Sequence, residues 1–203
     1  SFLLTLVSLS AVFLHFGMPA ANVYLLASGK VPVSVGLWAN VRLWLLASLI
    51  ITALIAALPR AGFDLAVELS VPLLAGLAIT ASLMLLKSGL ATIQQARRRF
   101  GHYNLILVLG ALVTLVLVAA LHVLDALSVQ AAVYAYLAGQ ALAVTAALLW
   151  TWGLAGRGRA GSARRQRWYL QRAFHYGIRS YAGNAIATVT SADAVKVLTV
   201  RTT

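Results

Sequence analysis

Long apolar runs alternate with short polar interruptions along the whole chain, at a spacing set by a bilayer. A helix that crosses about 30 Å of hydrocarbon needs roughly 20 apolar residues, and five stretches come to that length or near it: 2–26, 37–58, 65–86, 105–121 and 129–152. A sixth, 177–198, begins in the same way but is more polar and incomplete. No period-two alternation bounded by turn residues marks a strand. The pattern therefore predicts an all-α fold, a polytopic transmembrane bundle of about six helices.

The interruptions carry the topology. Lys30 and Arg42 follow the first run, and Arg60 follows the second, balanced by Asp64 and Glu68. Lys87 and Arg97 to Arg99 follow the third, the turn at 122–128 has no Lys or Arg, and the fifth connection holds seven arginines between Arg157 and Arg179. Positive charge alternates without exception, so the first, third and fifth connections are expected on the cytoplasmic side. Ser1 then lies on the far side, and an odd number of spans, most simply one, is expected upstream if the native N-terminus is inside.

Composition agrees and narrows the class. Only 10% of the 203 residues are charged and 62% are hydrophobic, with a mean hydropathy of +0.90; a soluble domain carries roughly a quarter charged. The formal charge of +12 would suit nucleic acid, but its positive residues stand between spans. No nucleic-acid partner is expected, and membrane lipids are. The absence of cysteine removes disulfides, thiolate chemistry and cysteine-based metal sites. There is no phosphate-binding loop, HExxH, GxSxG or acidic cluster. Hence no catalytic residues, metal or cofactor are assigned, and the chain is not expected to be an enzyme.

The fifth connection has a face of its own. Wound as a helix, it puts Tyr169, Leu170, Ala173, Phe174 and Tyr176 on one arc and Arg164, Arg165, Arg167, Gln171, Arg172 and His175 on the other, with Trp168 among the cations. Such a helix would lie in the headgroup layer with its arginines on anionic lipid, or serve only as a solvated topology loop.

Candidate chemistry sits where polar residues interrupt the runs. Ser1, Ser8, His15 and Asn22 recur every seven residues and share one face of the first span. His15, near mid-depth, would bind a substrate hydroxyl or phosphate or carry a proton, or else bond a neighbouring helix. Arg42, between Trp38 and Trp44, and Lys87 read either as snorkelling anchors or as cavity cations that meet a phosphate. Ser180, Asn184 and Thr188 form a polar face suited to a sugar-lined cavity or to close helix packing. Ala131, Ala135, Gly139, Ala143 and Ala147 form a ladder of small residues that admits a second helix closely. Asp64 and Glu68, one helical turn apart, suit paired acid/base chemistry or, through the dipole, a helix N-terminus.

Three segments resemble a known family. FGMPAANVYLLASGK resembles the second helix of the polysaccharide biosynthesis proteins, the oligosaccharide flippases of the multidrug/oligosaccharidyl-lipid/polysaccharide exporter superfamily. KSGLATIQQARRRFGHYNLI resembles their fourth-to-fifth helix connection, and FHYGIRSYAGNAI the start of their seventh helix. The C-terminal SADAVKVLTVRTT keeps Asp193 but lacks the apolar run usual there.

The resemblance implies a first-lobe bundle over 1–156, a basic interfacial linker over 157–176, and the truncated start of a second lobe over 177–203. It implies a multi-pass protein of the bacterial cytoplasmic (inner) membrane that flips lipid-linked oligosaccharide for cell-surface polysaccharide, alongside polysaccharide assembly proteins. His15, Asn22, Arg42, Lys87, Arg179 and Asn184 would line its substrate cavity. A drug/cation antiporter of the same superfamily, a membrane-embedded polyprenyl-phosphate transferase and a purely structural membrane subunit are the alternatives.

Overall fold

The computed structural model describes residues 17–29, 31–57, 71–156 and 162–189. Among these residues there are six α-helices and no strand, as the apolar pattern requires: α1 Met18–Ala27, α2 Val33–Ala57, α3 Val71–Ala96, α4 Phe100–Val123, α5 Val129–Ala155 and α6 Ala163–Val189. Gly17 precedes α1 at φ 69°, and Pro19 occupies the first turn. There the missing N–H breaks no helical bond, so Pro19 suits the opening of the helix. The Ser128 hydroxyl caps α5 by accepting from the Ala131 N–H at 3.1 Å.

Among the described residues, three helical segments are long and apolar enough to cross a membrane: Val33–Ala53 within α2, all of α4 and all of α5. Their outer faces agree with their composition. Leu49, Leu115 and Leu149 are each about two-thirds exposed, and rows of large aliphatic side chains turned outward suit hydrocarbon and not water. The chain is a membrane protein.

Neighbouring helices stack in the order α4, α5, α3, then α2 with α1, and α6 closes over α1 and α2. The α4–α5 contact depends on small residues. Gly139, Ala143 and Ala147 of the predicted ladder are buried, and Gly139 presses on Gly110 and Thr114 of α4. A Cβ on Gly139 would come within 2.5 Å of the Gly110 carbonyl oxygen and 3.2 Å of the Thr114 amide nitrogen. The two backbones touch because no side chain separates them.

The basic connections meet at one end of the bundle. An Arg97 guanidinium nitrogen donates to the Val31 carbonyl at 3.4 Å, joining the first connection to the third. His102 at the start of α4 stands edge-on to Trp150 near the end of α5, and Trp152 meets Trp38 of α2 in the same way. Asp125 lies in the α4–α5 turn, beyond the 24 residues of α4, and so about 36 Å from that end at 1.5 Å per residue.

Two boundaries differ from the sequence pattern. The third run was expected to end at Leu86, but α3 continues to Ala96. The helix-forming, uncharged stretch Ser88–Ala96 prolongs it, so Lys87 lies within a helix and not in a connection. The basic segment and the start of the last run are one helix, α6, with no break at Gly177. Gln166, Tyr169, Ala173 and Gly177 form its buried stripe, a spacing of three, four and four that keeps one helical face against α1 and α2. Protein covers this part of the arc that amphipathicity alone would lay on lipid.

Candidate functional site

Four helices converge on a buried polar knot. The two Asn22 amide hydrogens of α1 are shared among three acceptors, Asn40 Oδ1 of α2 at 3.1 Å and the Gly89 carbonyl and Thr92 Oγ1 of α3, each at 3.0 Å. Asn40 donates back to Asn22 Oδ1 at 3.1 Å and to the Gly36 carbonyl at 2.8 Å. The Tyr169 hydroxyl of α6 donates to Asn22 Oδ1 at 2.7 Å, across 147 residues of sequence. Asn22 Oδ1 thus accepts two hydrogen bonds, and both Asn40 amide hydrogens are used.

Glycines at 36 and 89 make room for this. A Cβ on Gly89 would run into the Asn40 carboxamide, and one on Gly36 would come within 2.9 Å of the Leu26 side chain. Tyr169 is wholly buried, and burial pushes its phenol well above the ordinary range. It therefore remains a protonated donor to Asn22. The knot is satisfied internally, so its chemistry is that of a fastener between α6 and the bundle.

Lys87 lies elsewhere. Its Nζ donates to Gln140 Oε1 of α5 at 2.6 Å, and the lysine is partly buried while Gln140 is 3% exposed. The partner is a neutral amide, and among the described residues no carboxylate stands beside this lysine. Further toward the basic end, Gln94 donates to Thr151 Oγ1 at 3.0 Å, tying α3 to α5. The two pairs join α3 to α5 at two levels.

A third feature lies between α2 and α6. Arg42, Ala163, Arg164, Arg167 and Leu170 line a cleft of about 460 Å³. All three arginines are exposed. Arg172 has another environment, its guanidinium standing 4.9 Å over the Trp168 ring, while Tyr24 and Tyr176 stack at 4.6 Å beside it.

Of the six residues expected in a cavity, Asn22 is the hub of the knot, Lys87 is inside the bundle at Gln140, and Arg42 faces the α6 arginines. Arg179 and Asn184 fall in the last three turns of α6, of which only the helix itself is described; His15 lies outside the described residues. Asn22, Lys87 and Arg42 do not share one cavity. Sequence reading missed Asn40, Thr92, Gln94, Gln140, Thr151 and Tyr169. The amides among them had a usable signal, since Asn or Gln inside an apolar run must find a partner.

Comparison with protein families, curated proteins and solved structures finds no match for the chain.

Proposed function

We propose that this chain is one lobe of a multi-pass transporter of the cytoplasmic membrane that passes lipid-linked oligosaccharide across the bilayer. The observation that carries this reading is Lys87. It lies nine residues before the end of α3, about 13 Å in from the basic end, and its partner is a neutral amide. An ionisable side chain at that depth is a functional group by default. A cation with no carboxylate attached recruits an anion, and the phosphate or pyrophosphate of a polyprenyl carrier supplies one. A cation antiporter would need an interior carboxylate. The single acid among the described residues, Asp125, is exposed in a turn at the other end.

Two further features favour a transporter lobe. The basic connections gather at one end, as positive-inside topology requires of a multi-pass protein. Helix α6 leads from that end along the bundle, which suits a linker between lobes.

The test uses the intact gene in its host. Deletion is expected to leave lipid-linked oligosaccharide in the cytoplasmic leaflet and to remove surface polysaccharide. Lys87→Gln is expected to lower export about tenfold, the worth of one charge-assisted contact, and Lys87→Arg to restore most of it. Normal polysaccharide after deletion would refute the transport reading; full export by Lys87→Gln would refute the role of the lysine.

A further inference from the structure

The cleft between α2 and α6 has three cations and no described acid near it. Arg42 lies nine residues into α2, about 13 Å along the helix axis, and α2 is one of the membrane-crossing helices. Arg164 and Arg167 are one turn apart on α6 and line the same cleft. Drawing guanidinium groups together is unfavourable unless an anion joins them. Asp125, the single acid among the described residues, is at the opposite end of the bundle.

The cleft also has an apolar continuation. Leu170 belongs both to it and to an adjoining groove of about 300 Å³ lined by Met18, Leu43, Leu46, Leu170, Gln171 and Phe174. Along α2 the change from charge to hydrocarbon takes place between neighbours, Arg42 and Leu43. A free phosphate would use the first compartment and leave the second empty, whereas a lipid with an anionic headgroup uses both.

We propose that this composite cleft is a binding site for an anionic lipid, its phosphate held by Arg42, Arg164 and Arg167 and its chain laid along Leu43, Leu46, Leu170 and Phe174. Guanidinium forks match phosphate oxygens in pairs, and the apolar groove adds burial of methylene groups. The site is separate from Lys87 and does not depend on transport. It also separates the α6 arginines by role: Arg164 and Arg167 bind the headgroup, while Arg172 rests on Trp168.

Native mass spectrometry of the full chain from detergent micelles tests this, with phosphatidylglycerol and phosphatidylcholine added in equal amounts. The chain is expected to retain phosphatidylglycerol about tenfold over phosphatidylcholine, the worth of a charge-assisted contact. Joint substitution of Arg42→Gln, Arg164→Gln and Arg167→Gln is expected to abolish the preference. Removing the same charge by Arg98→Gln, Arg99→Gln and Arg172→Gln is expected to leave it.

Two competitors distinguish the sources of the phosphate. Inorganic pyrophosphate is expected to compete poorly, because it has no chain for the groove, and a polyprenyl monophosphate is expected to compete well. Equal losses in the two triple variants would overturn the proposal, since binding would then follow net charge alone. Displacement by pyrophosphate as readily as by lipid would overturn it too, by reducing the site to a phosphate pocket.

Discussion

Asn22→Leu is expected to destabilise the bundle by about 3 kcal/mol, the sum of the groups it strands. Leucine keeps the branching of asparagine but is bulkier, so some overpacking adds to the loss of polar partners. The substitution removes the acceptor of the Tyr169 hydroxyl and one of the two acceptors of the Asn40 amide. It also leaves Asn40 Oδ1 without its donor. A buried group that loses its partner costs about 1–3 kcal/mol in a soluble core; within a membrane bundle the average is nearer 0.6 kcal/mol per bond, so the estimate takes the middle ground.

Tyr169→Phe removes one bond and leaves Asn22 Oδ1 still bonded to Asn40, so about 1 kcal/mol is expected. The double variant should lose less than the sum, because the two side chains share a bond. Unfolding by SDS in mixed micelles reads all three. Wild-type resistance in Asn22→Leu would mean that the knot does not hold α6 to the bundle.

Two glycines of α5 should answer the same substitution with opposite signs. Gly139→Ala drives a methyl group into the Gly110 carbonyl and Thr114. Backbone cannot step aside as a side-chain tip can, so α4 and α5 must separate, at about 1–3 kcal/mol. Gly153→Ala meets nothing within 4 Å, and alanine should stabilise the helix there by up to about 1 kcal/mol. The same mixed-micelle titration distinguishes them. Destabilisation by both would contradict the open surroundings of Gly153; stabilisation by both would remove the close α4–α5 contact.

What the sequence could reveal divides along physical lines. Helix existence was legible because 20-residue apolar runs have few alternatives, and the ladder through Gly139 was legible because small residues at spacing four name a helix face. The alternation of charge agreed with the gathering of Val31, Arg97, Trp150 and Trp152 at one end. Helix ends were less legible. Lys87 looked like the start of a loop, because charge in an apolar sequence reads as interface, yet a glutamine on another helix gives it a partner inside.

The site was the least legible part. Asn22 was visible as a polar residue on one face, but its partners lie 18, 67, 70 and 147 residues away. Periodicity shows only which residues share a face of one helix. It is silent on which faces meet, and Tyr169, grouped with the aromatic arc, gave no sign that its hydroxyl would close a hydrogen-bond network. Arg42 and the α6 arginines likewise stood as separate anchors until the helices were brought together.

The basic connections are expected at one face of the bilayer and the α4–α5 turn, which has no Lys or Arg, at the other. The chain contains no cysteine, so single cysteines introduced by Arg99→Cys, Ser162→Cys and Ala126→Cys give background-free labelling. An impermeant maleimide applied to intact cells should modify the Ala126→Cys variant and reach the other two only after permeabilisation. Modification of the Arg99→Cys or Ser162→Cys variant in intact cells, with the Ala126→Cys variant protected, would invert the orientation. Modification of all three from one side would contradict the membrane-crossing bundle itself.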